Sequence, residues 1–153
     1  MRVKKGAYLK TWHTITCLLY SFAVFSIILH SSSLKEMGFS DHIILPNHSQ
    51  NGIRGDYSLF NDYISSINSL KEKYKDKILL HVGFEAEYFK EYESYYRSLL
   101  EEGKIEYLIL GQHCHINKET NQLQFYDYHN LDLIALENYK TDLINGMKCG
   151  LYS

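Results

Sequence analysis

The sequence predicts an α/β fold built on parallel strands, and three observations carry that reading. From Leu34 onward, apolar runs of strand length alternate with stretches whose apolar residues recur at helical spacing. The order strand, helix, strand, helix, strand, helix calls for crossovers that return each strand in the same direction. Residues 78–85 form a largely apolar strand, as expected where helices cover a parallel sheet on both sides. Two architectures satisfy this order, a doubly wound sheet and part of a barrel. Both gather side chains from the C-terminal ends of their strands on one rim, where such folds keep their chemistry.

The elements follow in order. Residues 1–33 differ from the rest: Arg2, Lys4, Lys5 and Lys10 come first, then an uncharged apolar run over 17–29, then Ser31, Ser32 and Ser33. That is the layout of a secretory signal peptide, and equally of a buried strand or helix. The run is too short for a membrane span, which takes about 20 apolar residues. Residues 36–40 read as a short strand leading into Asp41 and His42. Asp56 or Ser58 can cap a helix through Leu59, Phe60, Tyr63, Ile64, Ile67, Leu70 and Tyr74, closed by the charged run 71–77. After the apolar strand comes a helix with Tyr92, Tyr95, Tyr96, Leu99 and Leu100 on one stripe, and Gly103 placed to stop it. Residues 107–110 are the third strand, running into Gly111-Gln-His-Cys-His115. A polar loop follows, then a helix capped by Asn130 with Leu133, Leu136, Tyr139, Leu143 and Met147 as its apolar positions and Gly150 at its end.

Composition narrows the function classes. At 153 residues and 18.0 kDa the chain fits one domain, and 45% hydrophobic residues can build a core. A net charge of −2 removes the electrostatic basis for binding nucleic acid. Cys17, Cys114 and Cys149 are too scattered for a disulfide framework or a Cys-x-x-Cys zinc knuckle, which favours a reducing, cytoplasmic setting over export through residues 1–30. Fourteen Tyr read as packing residues on helical stripes, and eight His direct attention to metal chemistry.

Three strands deliver His42, Glu85 and His113 to the rim. Imidazoles and a carboxylate converging from separate strands are what a divalent-metal hydrolase requires, because the metal lowers the pKa of bound water and polarises a phosphoryl oxygen. Each residue also has a plainer role: His42 capping a turn, Glu85 pairing with Lys or Arg, His113 satisfied in the core. Their equivalent positions favour a site. Arg54, between Gly52 and Gly55, suits bidentate phosphate binding or is a solvated loop arginine. His115 reads as a surface loop residue, and His48, His81 and His129 as structural. There is no Gly-x-Gly-x-x-Gly, no Walker sequence and no serine nucleophile elbow.

Leu34-Lys-Glu-Met-Gly-Phe-Ser-Asp-His42, Arg54, Gly83-Phe-Glu-Ala-Glu-Tyr-Phe89 and Leu110-Gly-Gln-His113 together resemble the histidinol-phosphatases of the PHP (polymerase and histidinol phosphatase) family over residues 34–153. The resemblance implies a distorted (β/α)7 barrel in which divalent metals (Zn, Mn or Fe) hydrolyse L-histidinol phosphate to L-histidinol and phosphate, in histidine biosynthesis. It implies that His42, Glu85 and His113 are metal ligands, that Glu85 bridges, that Glu85 and His113 are catalytic, and that Arg54 holds substrate phosphate. His13 matches the first His of the family's opening His-x-His and so joins the implied ligands.

Departures from the family pattern shape the remaining expectations. Ile15 stands where the second His belongs and Ser21 where a third does, and residues 17–33 do not resemble the helix found there. The chain ends at Tyr152-Ser153, where the next strand with a His-Pro-Asp motif is expected, and a late Asp-x-His pair is absent. The expected product is therefore a partial barrel over 34–153 behind an atypical segment over 1–33. An unpaired edge strand makes it prone to self-association. At most one weakly held metal is expected. The alternatives are a phosphoesterase acting on another small phosphate ester and a non-catalytic remnant.

Overall fold

The computed structural model describes residues 34–47, 55–126 and 133–153. His13, Arg54, His48, His129 and the Asn130 cap lie outside the described residues, as does the apolar run over 17–29. The chain divides into two compact units, Met1–Gly83 and Phe84–Ser153. Three parallel strands in the order β1-β2-β3 form the main sheet: β1 (Glu36–His42), β2 (Leu79–Ala86) and β3 (Tyr107–Leu110). With three helices the fold is mixed α/β, as the sequence predicts, and no closed barrel is present among the described residues. No helix among the described residues is long and apolar enough to cross a membrane.

In the first unit, Asp56 accepts a hydrogen bond from the Ser58 amide (2.9 Å) and starts a short 3-10 turn, Tyr57–Leu59. That turn leads into α1 (Phe60–Tyr74). Phe60, Ile67 and Leu70 are its buried residues, seven and then three apart, spacings of about two turns and one turn, so they share one face. Leu70 joins Met37, Ile78 and Leu80 in the core of this unit, with Leu34, Phe39 and Tyr74 packed around it. Beyond the helix the Lys77 and Ile78 amides both return to the Tyr74 carbonyl (2.8 and 3.0 Å), and the Leu79 amide then pairs with the Lys35 carbonyl (2.9 Å). The chain thus turns from helix to strand within a few residues.

In the second unit, α2 (Glu93–Glu101) buries Tyr96 and Leu99, with Tyr92 buried in the turn before it. Stacked and edge-on contacts join Phe89, Tyr92, Tyr95 and Tyr96 at 5.9–6.1 Å between ring centroids, so the tyrosines pack as the sequence indicates. Gly103 adopts φ +66 and ends the helix.

Two features of this unit differ from expectation. The polar loop after His113 contains a hairpin, β4 (Cys114–Ile116) paired antiparallel with β5 (Leu123–Phe125). Its turn is built by asparagines: Asn117 Oδ1 accepts the Glu119 and Thr120 amides (2.9 and 3.1 Å), and Asn121 takes φ +54, a conformation asparagine tolerates well. The last helix, α3 (Leu133–Lys148), is present, but rotated from the expected stripe. Leu133 is 82% exposed and Met147 64%, while Ala135, Tyr139, Asp142, Leu143 and Gly146 are wholly or partly covered. Gly146 sets that rotation. A Cβ there would stand 2.8 Å from Leu110 Cδ1, so only glycine lets this helix approach β3 so closely. Tyr126 adds to it, donating to Asp142 (3.1 Å) and meeting Tyr139 edge-on at 5.2 Å.

Candidate metal centre

The candidate donors sit where their strands end. His42 is the last residue of β1, Glu85 is next to last in β2, and His113 lies in the link from β3 to β4. His113 Nε2 is 2.7 Å from Glu85 Oε1, with the Glu85 side chain 13% exposed and that of His113 33% exposed. His42, Glu85 and His113 each bring one ligand atom within 4.8 Å of the other two.

The donor set fits a divalent ion. Donor atoms about 2.0–2.2 Å from a shared ion stand at most about 4.4 Å apart. A spread of up to 4.8 Å therefore closes with a small side-chain adjustment. Two imidazoles and a carboxylate suit Zn, Mn and Fe alike and do not choose among them.

Local structure explains why these side chains converge. The Gly111 amide donates to the Ala86 carbonyl (3.2 Å), and the Tyr126 amide to the His113 carbonyl (3.1 Å). The link is thereby held on β2 at one end and on the hairpin at the other. Gly111 leaves room for the carboxylate, since a Cβ there would lie 2.7 Å from Glu85 Cγ and 2.8 Å from Glu85 Cδ. In the first unit, Tyr63 donates to the Gly83 carbonyl (2.9 Å) and receives the Asp41 amide (3.4 Å), which ties α1 to the residue before His42 and to β2.

The other histidines divide. His81 pairs with Glu36 (2.9 Å), a structural role as expected. His115 is not a surface loop residue: it lies in β4, half-buried, its ring 4.9 Å from that of Tyr126, and its Nδ1 has no hydrogen-bond partner among the described residues. The neighbouring Asp142 carboxyl is pushed above the usual carboxylate range by burial, against the hydrogen bond from Tyr126. Sequence reasoning passed over Gly111, Gln112 and Glu87. Glu87 is fully buried, with the Cys114 thiol 3.4 Å from its Oε1 and Tyr152 donating to its carbonyl (2.9 Å). The available signal was spacing: Glu87 stands two residues from Glu85, and Gly111 and Gln112 directly precede His113.

The sequence matches no protein-family model and no curated protein. The fold is similar to that in the crystal structure of the "putative histidinol phosphatase hisK" from Listeria monocytogenes, with a TM-score of 0.51 and 19% sequence identity. The similarity covers 72% of this chain but 43% of the other, so this chain spans less than half the length of that protein.

Proposed function

We propose that this chain belongs to a metal-dependent phosphoric monoester hydrolase of the PHP type, with L-histidinol phosphate as substrate. The observation that carries the reading is the His42–Glu85–His113 cluster at the ends of strands, in a fold similar to that of a protein bearing the histidinol phosphatase name. In this reading His42, Glu85 and His113 would hold a divalent ion, with His13 as a further ligand. Arg54 holds the phosphate of the ester through its guanidinium. The bound metal supplies Lewis-acid polarisation of the phosphoryl oxygen and a water of lowered pKa. Glu85 and His113 already lie side by side, 2.7 Å apart, so bringing them together on binding costs less than ordering two distant side chains. The ester is a small molecule, and nucleic acid has no place in this proposal.

A second reading is metal binding without turnover, and it is favoured by Ile15, which stands where the resembled family pattern has a second histidine ligand. Phosphate release separates the two. Purified chain with Mn²⁺ or Zn²⁺ is given L-histidinol phosphate beside a panel of other small phosphate monoesters. Hydrolysis of L-histidinol phosphate, lost in Glu85→Ala, supports the first reading. Hydrolysis of another ester alone reassigns the substrate, and metal binding with no hydrolysis of any ester supports the second.

A further inference from the structure

Between the end of β3 at Leu110 and the start of β4 at Cys114 lie three residues outside any strand, one of them His113. Backbone hydrogen bonds hold the two ends of this segment, and side chains fix what lies between them. Gln112 is 4% exposed, and its carboxamide is used at both ends. Oε1 accepts the Tyr88 amide at 2.8 Å, and Nε2 donates to the Cys114 carbonyl at 3.0 Å. Those partners bracket the candidate donors: Tyr88 lies three residues past Glu85, and Cys114 directly follows His113. One buried amide thus fastens the segment carrying the carboxylate to the segment carrying the imidazole, beside the 2.7 Å contact between Glu85 and His113.

We propose that Gln112 is the positioning residue of the metal centre, holding His113 against Glu85 so that both donors face one ion. This rests on the reading of His42, Glu85 and His113 as metal ligands. A glutamine suits the task because its planar amide offers one acceptor and one donor in fixed relation. Supporting residues of this kind typically contribute about 10–100-fold to metal affinity without touching the ion. Both ends of the Gln112 carboxamide are engaged by backbone groups, those of Tyr88 and Cys114.

The test compares Gln112→Met with wild type and with Leu99→Ala. Gln112→Met keeps the volume and loses both hydrogen bonds. Leu99→Ala destabilises the same unit by removing a side chain 2% exposed in α2. Two quantities are read: Zn²⁺ affinity by competition with a chelating dye, well below the unfolding temperature, and the ¹⁵N shifts of the His113 ring without metal at fixed pH. The expected result is a 10–100-fold loss of affinity and displaced His113 shifts in Gln112→Met, with Leu99→Ala near wild type in both. Unchanged affinity and unchanged shifts in Gln112→Met overturn the proposal. Equal losses in Leu99→Ala also overturn it, by reducing Gln112 to general stability. If wild type binds no Zn²⁺, the metal reading fails, and the ring shifts alone then decide whether Gln112 orients His113. Should Gln112→Met not fold, Gln112→Glu, which keeps the acceptor for Tyr88, takes its place under the same criteria.

Discussion

Gly111→Ala isolates the space under Glu85. The added Cβ would run into Glu85 Oε1 and stand 2.7 Å from Glu85 Cγ, and an ordinary contact begins at 3.4 Å, so carboxylate and link must separate by at least about 0.7 Å. Overfilling of this kind costs about 1–3 kcal/mol. A stiffer unfolded chain returns about 0.4–1 kcal/mol of that. The net expectation is a loss of about 1 kcal/mol, and the displacement falls on the side chain that contacts His113. Zn²⁺ affinity should therefore drop about tenfold or more, as when a supporting contact to a ligand is lost. Gly103→Ala is the matched control. Its glycine has φ +66 with nothing within 4 Å of an added Cβ, so it should lose roughly 1–2 kcal/mol through backbone strain alone and leave metal binding intact. Urea unfolding gives the stabilities and dye competition gives the affinities. Gly111→Ala with wild-type Zn²⁺ affinity would refute the packing of Glu85 over this glycine.

Other expectations follow from single contacts. Asp142 is held protonated to higher pH in the folded chain than when unfolded, so its contribution to stability is lost as pH rises from the ordinary carboxylate range through its folded pKa. Asp142→Asn keeps an acceptor for Tyr126 and should flatten that part of the stability–pH profile; an unchanged slope would be contrary. Tyr63→Phe removes the hydroxyl between Asp41 and Gly83 and should cost about 1 kcal/mol in urea unfolding. Leu133→Lys with Ile134→Glu places charge on residues 82% and 74% exposed; if copies of the chain associate through this face of α3, light scattering should fall, and identical scattering would remove the face as a contact.

Much of the fold was legible because its signals are local. The alternation of β1, α1, β2, α2 and β3 follows from apolar spacing, an Asp56 cap and a Gly103 stop, each acting within a few residues. His42, Glu85 and His113 could be chosen because strand ends converge in parallel sheets. What escaped depends on neighbours distant in sequence. The rotation of α3 is set by Leu110 meeting Gly146, so the stripe of Leu133, Leu136 and Met147 misled. The β4–β5 hairpin is so short that its asparagine turn reads as loop in the sequence. Gln112 looked like an ordinary linker residue, because its role lies in a hydrogen bond to an amide 24 residues earlier.

The most direct test is Zn²⁺ titration of wild type beside His42→Ala, Glu85→Ala and His113→Ala, with folding of each checked by circular dichroism. One centre built from three donors requires saturable binding in wild type and a loss of at least about tenfold in every variant. Absence of binding in folded wild type, or affinity unchanged in any one variant, would contradict the assignment of these residues to a single metal site.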